Sequence, residues 1–210
     1  MGGDRGGTLP PLKAGGCQNH LWSKNQICLP PFFIGTLTAV RFWRLDSDNV
    51  LFSANLNENS DFEPNNSDIH KLNIKTGDLK KLTTRLGPDR SPAVSPDGTK
   101  IAFLGYDDKY LGYQQSSLYI MDTDGGNIKL ISEGFDRNIS NINWMKDGKG
   151  LYFQYDSEGM TQIASISLNG RVKDIVDELG GLSLGRPYSG GSYSVSSAGR
   201  YAFTYGNVYN

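Results

Sequence analysis

The sequence predicts an all-β chain: a partial β-propeller of three complete four-stranded blades and half of a fourth. Three observations carry that expectation. Phe52, Phe103, Phe153 and Phe203 stand 51, 50 and 50 residues apart, and each closes a near-copy of one phrase. The copies read DSDNVLFSA (46–54), SPDGTKIAFLG (95–105), KDGKGLYFQY (146–155) and SAGRYAFTYG (197–206). A period near fifty with little helical patterning marks stacked four-stranded units, because one such sheet cannot bury both of its faces alone. The 26 glycines cluster between short apolar runs, as a protein built from tight turns requires.

Residues 1–35 come first and have no counterpart elsewhere; they mix Gly, Pro and Lys with scattered apolar residues and show no period of 3.6 or 2. From about Thr36 each repeat reads as four short strands. The first strand ends in a turn: 92–95 before Pro96-Asp97-Gly98, 139–144 before Lys146-Asp147-Gly148, and 192–195 before Ala198-Gly199. Proline presets φ at about −65°, and Asp-Gly supplies the positive φ of a tight hairpin. The second strand bears the phenylalanine (50–54, 100–105, 151–155, 200–205) and is apolar almost throughout, as expected where neighbouring blades cover both faces. The third appears at 68–72, 118–122 and 162–166. The fourth follows a second tight turn and alternates at 79–83, 128–132 and 172–176.

The predicted blades are therefore about 36–85, 88–134 and 138–178, with a half-blade at 186–210. Propellers commonly close by pairing strands from the two chain ends, yet 1–35 offers no matching strands. The expectation is a part of a longer polypeptide, with an open blade edge prone to self-association.

Bulk composition excludes some partners. Lys+Arg 21 against Asp+Glu 22 gives a net charge of −1 with no basic run, so neither nucleic acid nor an anionic membrane is expected. The greasiest stretch, 27–40, is only 14 residues and contains Pro30, Pro31 and Gly35; a membrane span needs about 20 apolar residues. No secretory signal is visible, and both cytoplasm and periplasm stay open. Cys17 and Cys28 fit either a small disulfide loop or two free thiols.

The phrase SPAVSPDGTKIAF at 91–103 resembles the TolB-type propeller repeat, a WD-like architecture. The stretch from DSDNVLFSAN (46–55) through RPYSGGSYSVS (186–196) is similar to the amino-terminal propeller of bacterial prolyl oligopeptidase-family enzymes, of dipeptidyl aminopeptidase or acylaminoacyl peptidase type. In that family the propeller precedes an α/β-hydrolase domain with a Ser-Asp-His triad and restricts access to peptides of modest length. The resemblance thus implies a non-catalytic segment that gates peptide access and docks on a hydrolase domain outside this chain. A stand-alone TolB-like module holding a protein or peptide partner is the alternative; a partial or misframed gene is a third reading.

Several motifs mimic chemistry. The run at 181–185 is a literal G-x-S-x-G, but a nucleophile elbow needs a buried strand before the serine and a helix after it. Here Arg186-Pro187 follows and blocks a helix. Bases are scarce: His20 lies in the lead-in, and His70 occupies a strand where the other repeats carry Tyr119 or Ala164, its ring expected against a neighbouring blade. Asp122, Asp124 and Glu133 match the spacing of part of a calcium loop, yet 128–132 is a strand that would pull Glu133 away. Ser189-Gly190-Gly191-Ser192 lacks the lysine and helix of a phosphate cradle. No catalytic group, metal site or cofactor is therefore expected.

The repeat itself points to a functional face. Tight turns join strands one to two and three to four on one side. Longer connections join strands two to three (55–67, 106–117, 156–161) and successive blades (84–90, 133–138, 177–191) on the other. That loop face gathers Asp61, Glu63, Arg90, Asp107, Asp108, Arg137, Arg186 and Tyr188. Loops on a rigid scaffold favour binding, so Arg186, Tyr188, Asp107, Asp108, Glu63 and Arg137 are the candidate contacts to a peptide or protein partner.

Overall fold

The computed structural model describes residues 42–180, 190–196 and 198–205. Among them there is no helix, and every strand neighbour is antiparallel. The first sheet is β1 (Phe42–Arg44), β2 (Asn49–Ala54), β3 (Asp68–Asn73) and β4 (Leu79–Lys81), paired in that order. The second is β5 (Asp89–Val94), β6 (Lys100–Gly105), β7 (Ser117–Asp122) and β8 (Lys129–Leu130). The third is β9 (Ser140–Trp144), β10 (Gly150–Ser157), β11 (Met160–Ser167) and β12 (Val172–Leu179). A two-stranded sheet, β13 (Tyr193–Val195) with β14 (Tyr201–Phe203), follows. Three meanders of four strands and one of two make a partial propeller.

The repeated turn has one physical basis in each blade. In the second, Ser95 N–H donates to the Lys100 carbonyl (2.9 Å) and Gly98 N–H to the Ser95 carbonyl (2.9 Å). Gly98 sits at φ 72°, where a side chain is disfavoured, and Asp97 Oδ1 accepts from the Ser95 hydroxyl and the Thr99 amide. Met145 and Gly150, and Ser196 and Arg200, close the equivalent turns. A second device repeats as well. Ser91 and Asn141, one period apart, adopt positive φ (51° and 47°) beside a register shift in β5 and β9. These are bulges in the first strand of consecutive blades.

The core lies in layers between sheets. Phe52, Phe103 and Phe153 are all at most 1% exposed. Leu51, Ile69 and Leu82 of the first sheet pack with Ile101, Phe103 and Met121 of the second. Leu118 and Ile120 then pack with Leu151, Phe153 and Ile166 of the third, and Ile163 and Leu179 with Tyr193. The first strands are also tied directly: Trp144 Nε1 donates to the Ala93 carbonyl (2.8 Å), and the Tyr193 hydroxyl to the Asn141 carbonyl (2.6 Å).

One connection differs from expectation. The repeat predicts a longer loop over 156–161, but β10 and β11 pair through Ser157↔Met160 and leave only Glu158-Gly159 between them. Both residues have positive φ (53° and 81°), the geometry of a two-residue hairpin. The connection between the second and third strands of this blade therefore adds only two residues to the loop face.

Candidate functional site

The longer connections do gather on one face, held together by backbone bonds. Asp89 N–H donates to the Ser67 carbonyl (2.7 Å), Asp108 N–H to the Leu86 carbonyl (2.8 Å), and Ile139 N–H to the Ser116 carbonyl (3.0 Å). Each bond joins a strand-two-to-three loop to a blade connection. The close approach of 86–88 to 106–108 depends on Gly87: at φ 136°, a β-carbon there would press into the Tyr106 carbonyl.

The 106–116 loop encloses a cleft of about 390 Å³, lined by Tyr106, Asp107, Lys109, Leu111 and Tyr113 among others, with Tyr119 of β7 beneath. That volume falls within the range of about 300–1,000 Å³ usual for ligand clefts. The loop is braced internally. Asp108 Oδ1 accepts from Gln114 Nε2 (2.6 Å) and from the Tyr110 amide (2.8 Å), and these two bonds hold its carboxyl below the usual aspartate range. Asn138 Nδ2 donates to the Tyr113 hydroxyl (3.0 Å) from the next connection.

Under the cleft sits Arg85. Its guanidinium carbon lies 4.0 Å from the Tyr119 ring centre and 5.8 Å from that of Phe103, a cation–π arrangement. One terminal nitrogen pairs with Asp89 Oδ1 and the other with Asp107 Oδ1 at 2.7 Å. Asp89 is fully buried, whereas the Asp107 side chain is 67% exposed. Burial pushes the Asp89 carboxyl up, and the Arg85 partnership opposes that rise. A second buried carboxylate, Asp68, pairs with Lys81 (2.6 Å) on the same loop face.

The expected contact residues separate into distinct roles. Asp107 lines the cleft, and Asp108 braces its loop. Glu63 is engaged locally: its Oε2 accepts from Asn66 Nδ2 (2.9 Å). Arg137 reaches back to its neighbour Asp136 (3.4 Å) and is half-exposed. Arg186 and Tyr188 lie outside the described residues, as do the run at 181–185, Cys17, Cys28 and His20. Sequence reasoning passed over Arg85, Asp89 and Tyr119. The one signal for Arg85 and Asp89 was an arginine four residues before an aspartate near a blade connection, and Tyr119 stood out only as the repeat counterpart of His70.

The mimics resolve into local structure. His70 pairs with Phe52 in the sheet register, as Tyr119 pairs with Phe103 and Ala164 with Phe153. Its ring stacks on Phe52 across the β2–β3 pair at 5.3 Å, and Nδ1 donates to the Asp68 carbonyl (3.0 Å). Burial lowers its pKa. Asp122 is held by Lys100 (2.9 Å) and Asn127 (2.6 Å), and Asp124 Oδ1 caps Gly126, so this segment is a hairpin turn.

No family model matches the chain. Over 136 residues it is 27% identical to dipeptidyl-peptidase 5 of Porphyromonas gingivalis, a match covering 63% of this chain and 20% of that protein. The chain thus spans about a fifth of the length of this curated relative. TolB from Acinetobacter baumannii superposes over 77% of this chain and 36% of its own (21% identity, TM-score 0.54). A solved prolyl endopeptidase superposes over 76% of this chain and 24% of its own (17% identity, TM-score 0.50). The fold is that of a partial TolB-like β-propeller, and over part of its length the sequence is similar to dipeptidyl-peptidase 5.

Proposed function

We propose that the chain is a non-catalytic propeller segment of a prolyl oligopeptidase-family serine peptidase, in which the loop face meets a hydrolase domain and restricts the peptides that reach it. The observations carrying this reading are the 27% identity to dipeptidyl-peptidase 5 over 136 residues and the propeller fold of the described residues. The chemistry of the chain agrees with a role in binding. His70, the histidine among the described residues, is buried in β3 and spends Nδ1 on a backbone carbonyl. The loop face, by contrast, offers a cleft lined by exposed Tyr113 and the exposed carboxylate of Asp107.

Two measurements test the reading. The coding sequence after Asn210 should encode a hydrolase domain whose G-x-S-x-G lies between a strand and a helix; further blades ending in a stop would favour a stand-alone TolB-like binding module instead. Purified chain assayed with chromogenic dipeptides should show no turnover above buffer. Serine-reagent-sensitive hydrolysis by this chain alone would overturn the non-catalytic role.

A further inference from the structure

We propose that the cleft under the 106–116 loop binds the basic side chain of a peptide, with Asp107 as its counter-ion and the tyrosine rings as its walls. The assignment rests on the peptide-gating reading for its ligand class. Its physical grounds are charge and geometry.

Arg85 is one cation shared by two carboxylates, Asp89 and Asp107. Asp89 is fully buried and Asp107 is 67% exposed. A buried carboxylate left without its cation is far costlier than an exposed one, so Asp89 has first claim on the guanidinium. Asp107 therefore stays under-neutralised, and its Oδ2, unlike Oδ1, has no bonded partner among the described residues. Nearby Asp108 adds a further negative charge. Asp89, Asp107 and Asp108 against Arg85 and Lys109 leave a net charge of −1 around the cleft.

The walls suit a cation as well. Tyr106, Tyr113 and Tyr119 line the cleft, and Tyr113 is 70% exposed. Arg85 already demonstrates the recognition chemistry from within: a guanidinium held by the Asp107 carboxylate and laid over a tyrosine ring. A guanidinium or ammonium entering from solvent would meet the free oxygen of the same carboxylate and the outer tyrosines. Charge-assisted bonds and ring faces both favour it over a neutral side chain. Lys109 also lines the cleft and acts as an internal competitor.

The test uses the 210-residue chain and blocked tripeptides, with no peptidase activity required. Acetyl-Gly-Arg-Gly-amide, its citrulline isostere and the citrulline peptide with a free amino terminus are each titrated while backbone amide NMR shifts are followed. Saturable shifts confined to 106–119 are expected, with the arginine peptide bound about five-fold tighter than the blocked citrulline peptide. Asp107→Asn should erase that difference, and Lys109→Gln should widen it. Equal affinities, no saturable shift, or discrimination surviving Asp107→Asn would overturn the proposal. Tighter binding only with the free amino terminus would overturn it too, since the cleft would then read a terminal amine. Failure here leaves the coding-sequence test of the peptidase reading untouched, so the two can fail separately.

Discussion

Phe103 and Phe203 carry the same place in the repeat but not the same energy. Phe103 is fully buried, whereas Phe203 is 39% exposed. Phe103→Ala should cost about 3–5 kcal/mol in chemical denaturation, and Phe203→Ala less than about 2 kcal/mol. His70 gives a pH signature. Burial lowers its folded pKa below its ordinary 6.5, so its contribution is present above about pH 6.5 and lost as pH falls toward the folded value. His70→Tyr, which copies the residue of the next blade, should flatten the decline in urea midpoint between about pH 7 and pH 5. Arg85 works with the opposite sign. Arg85→Gln leaves Asp89 buried without its cation, at about 3–5 kcal/mol near neutral pH. Because burial raises the Asp89 pKa, that penalty should shrink as acid protonates the carboxyl, so the gap to wild type narrows from about pH 7 toward pH 4. A constant gap would contradict this account.

Turns and connections decide where the cleft lies. The Ser-Pro-Asp-Gly turn is legible because its residues divide the conformational work: the serine amide closes the turn, aspartate caps it, and glycine accepts positive φ. The Glu158-Gly159 hairpin was not legible, because β10 and β11 outgrow their counterparts by two residues each and consume the loop. The fifty-residue period does not announce such lengthening, because it aligns the blades without fixing where each strand ends. Gly87 is the corresponding device on the loop face. Gly87→Ala should destabilise the chain by more than about 1 kcal/mol and shift the amide resonances of Asp107 and Asp108. Unchanged spectra would show that the two connections do not depend on this close approach.

Across the molecule, the sheets cover one another in sequence until β14, which pairs only with β13 among the described residues. Tyr201, Phe203 and Tyr205 are 43%, 39% and 62% exposed there. An unpaired strand edge beside exposed aromatic rings templates association. Light scattering on the chain should give a mass that rises with concentration, and Phe203→Lys should lower it by placing a charge at the edge. A constant monomer mass at high concentration would refute an open edge.

The sequence alone determined the architecture: a fifty-residue period with turn residues at fixed offsets admits few folds other than stacked four-stranded sheets. It also assigned the longer connections to one side, because alternation of tight and long connections assigns sides without coordinates. The cleft itself needed the tertiary structure. Arg85, Asp89 and Tyr119 come from a connection and two strands of the second sheet, and only the pairing of that sheet and the docking of its lead-in connection bring a guanidinium onto a ring with a carboxylate on either side. Local patterns report periodicity and turn chemistry, whereas charge sharing between a connection and a loop depends on how strand pairing and loop docking place them.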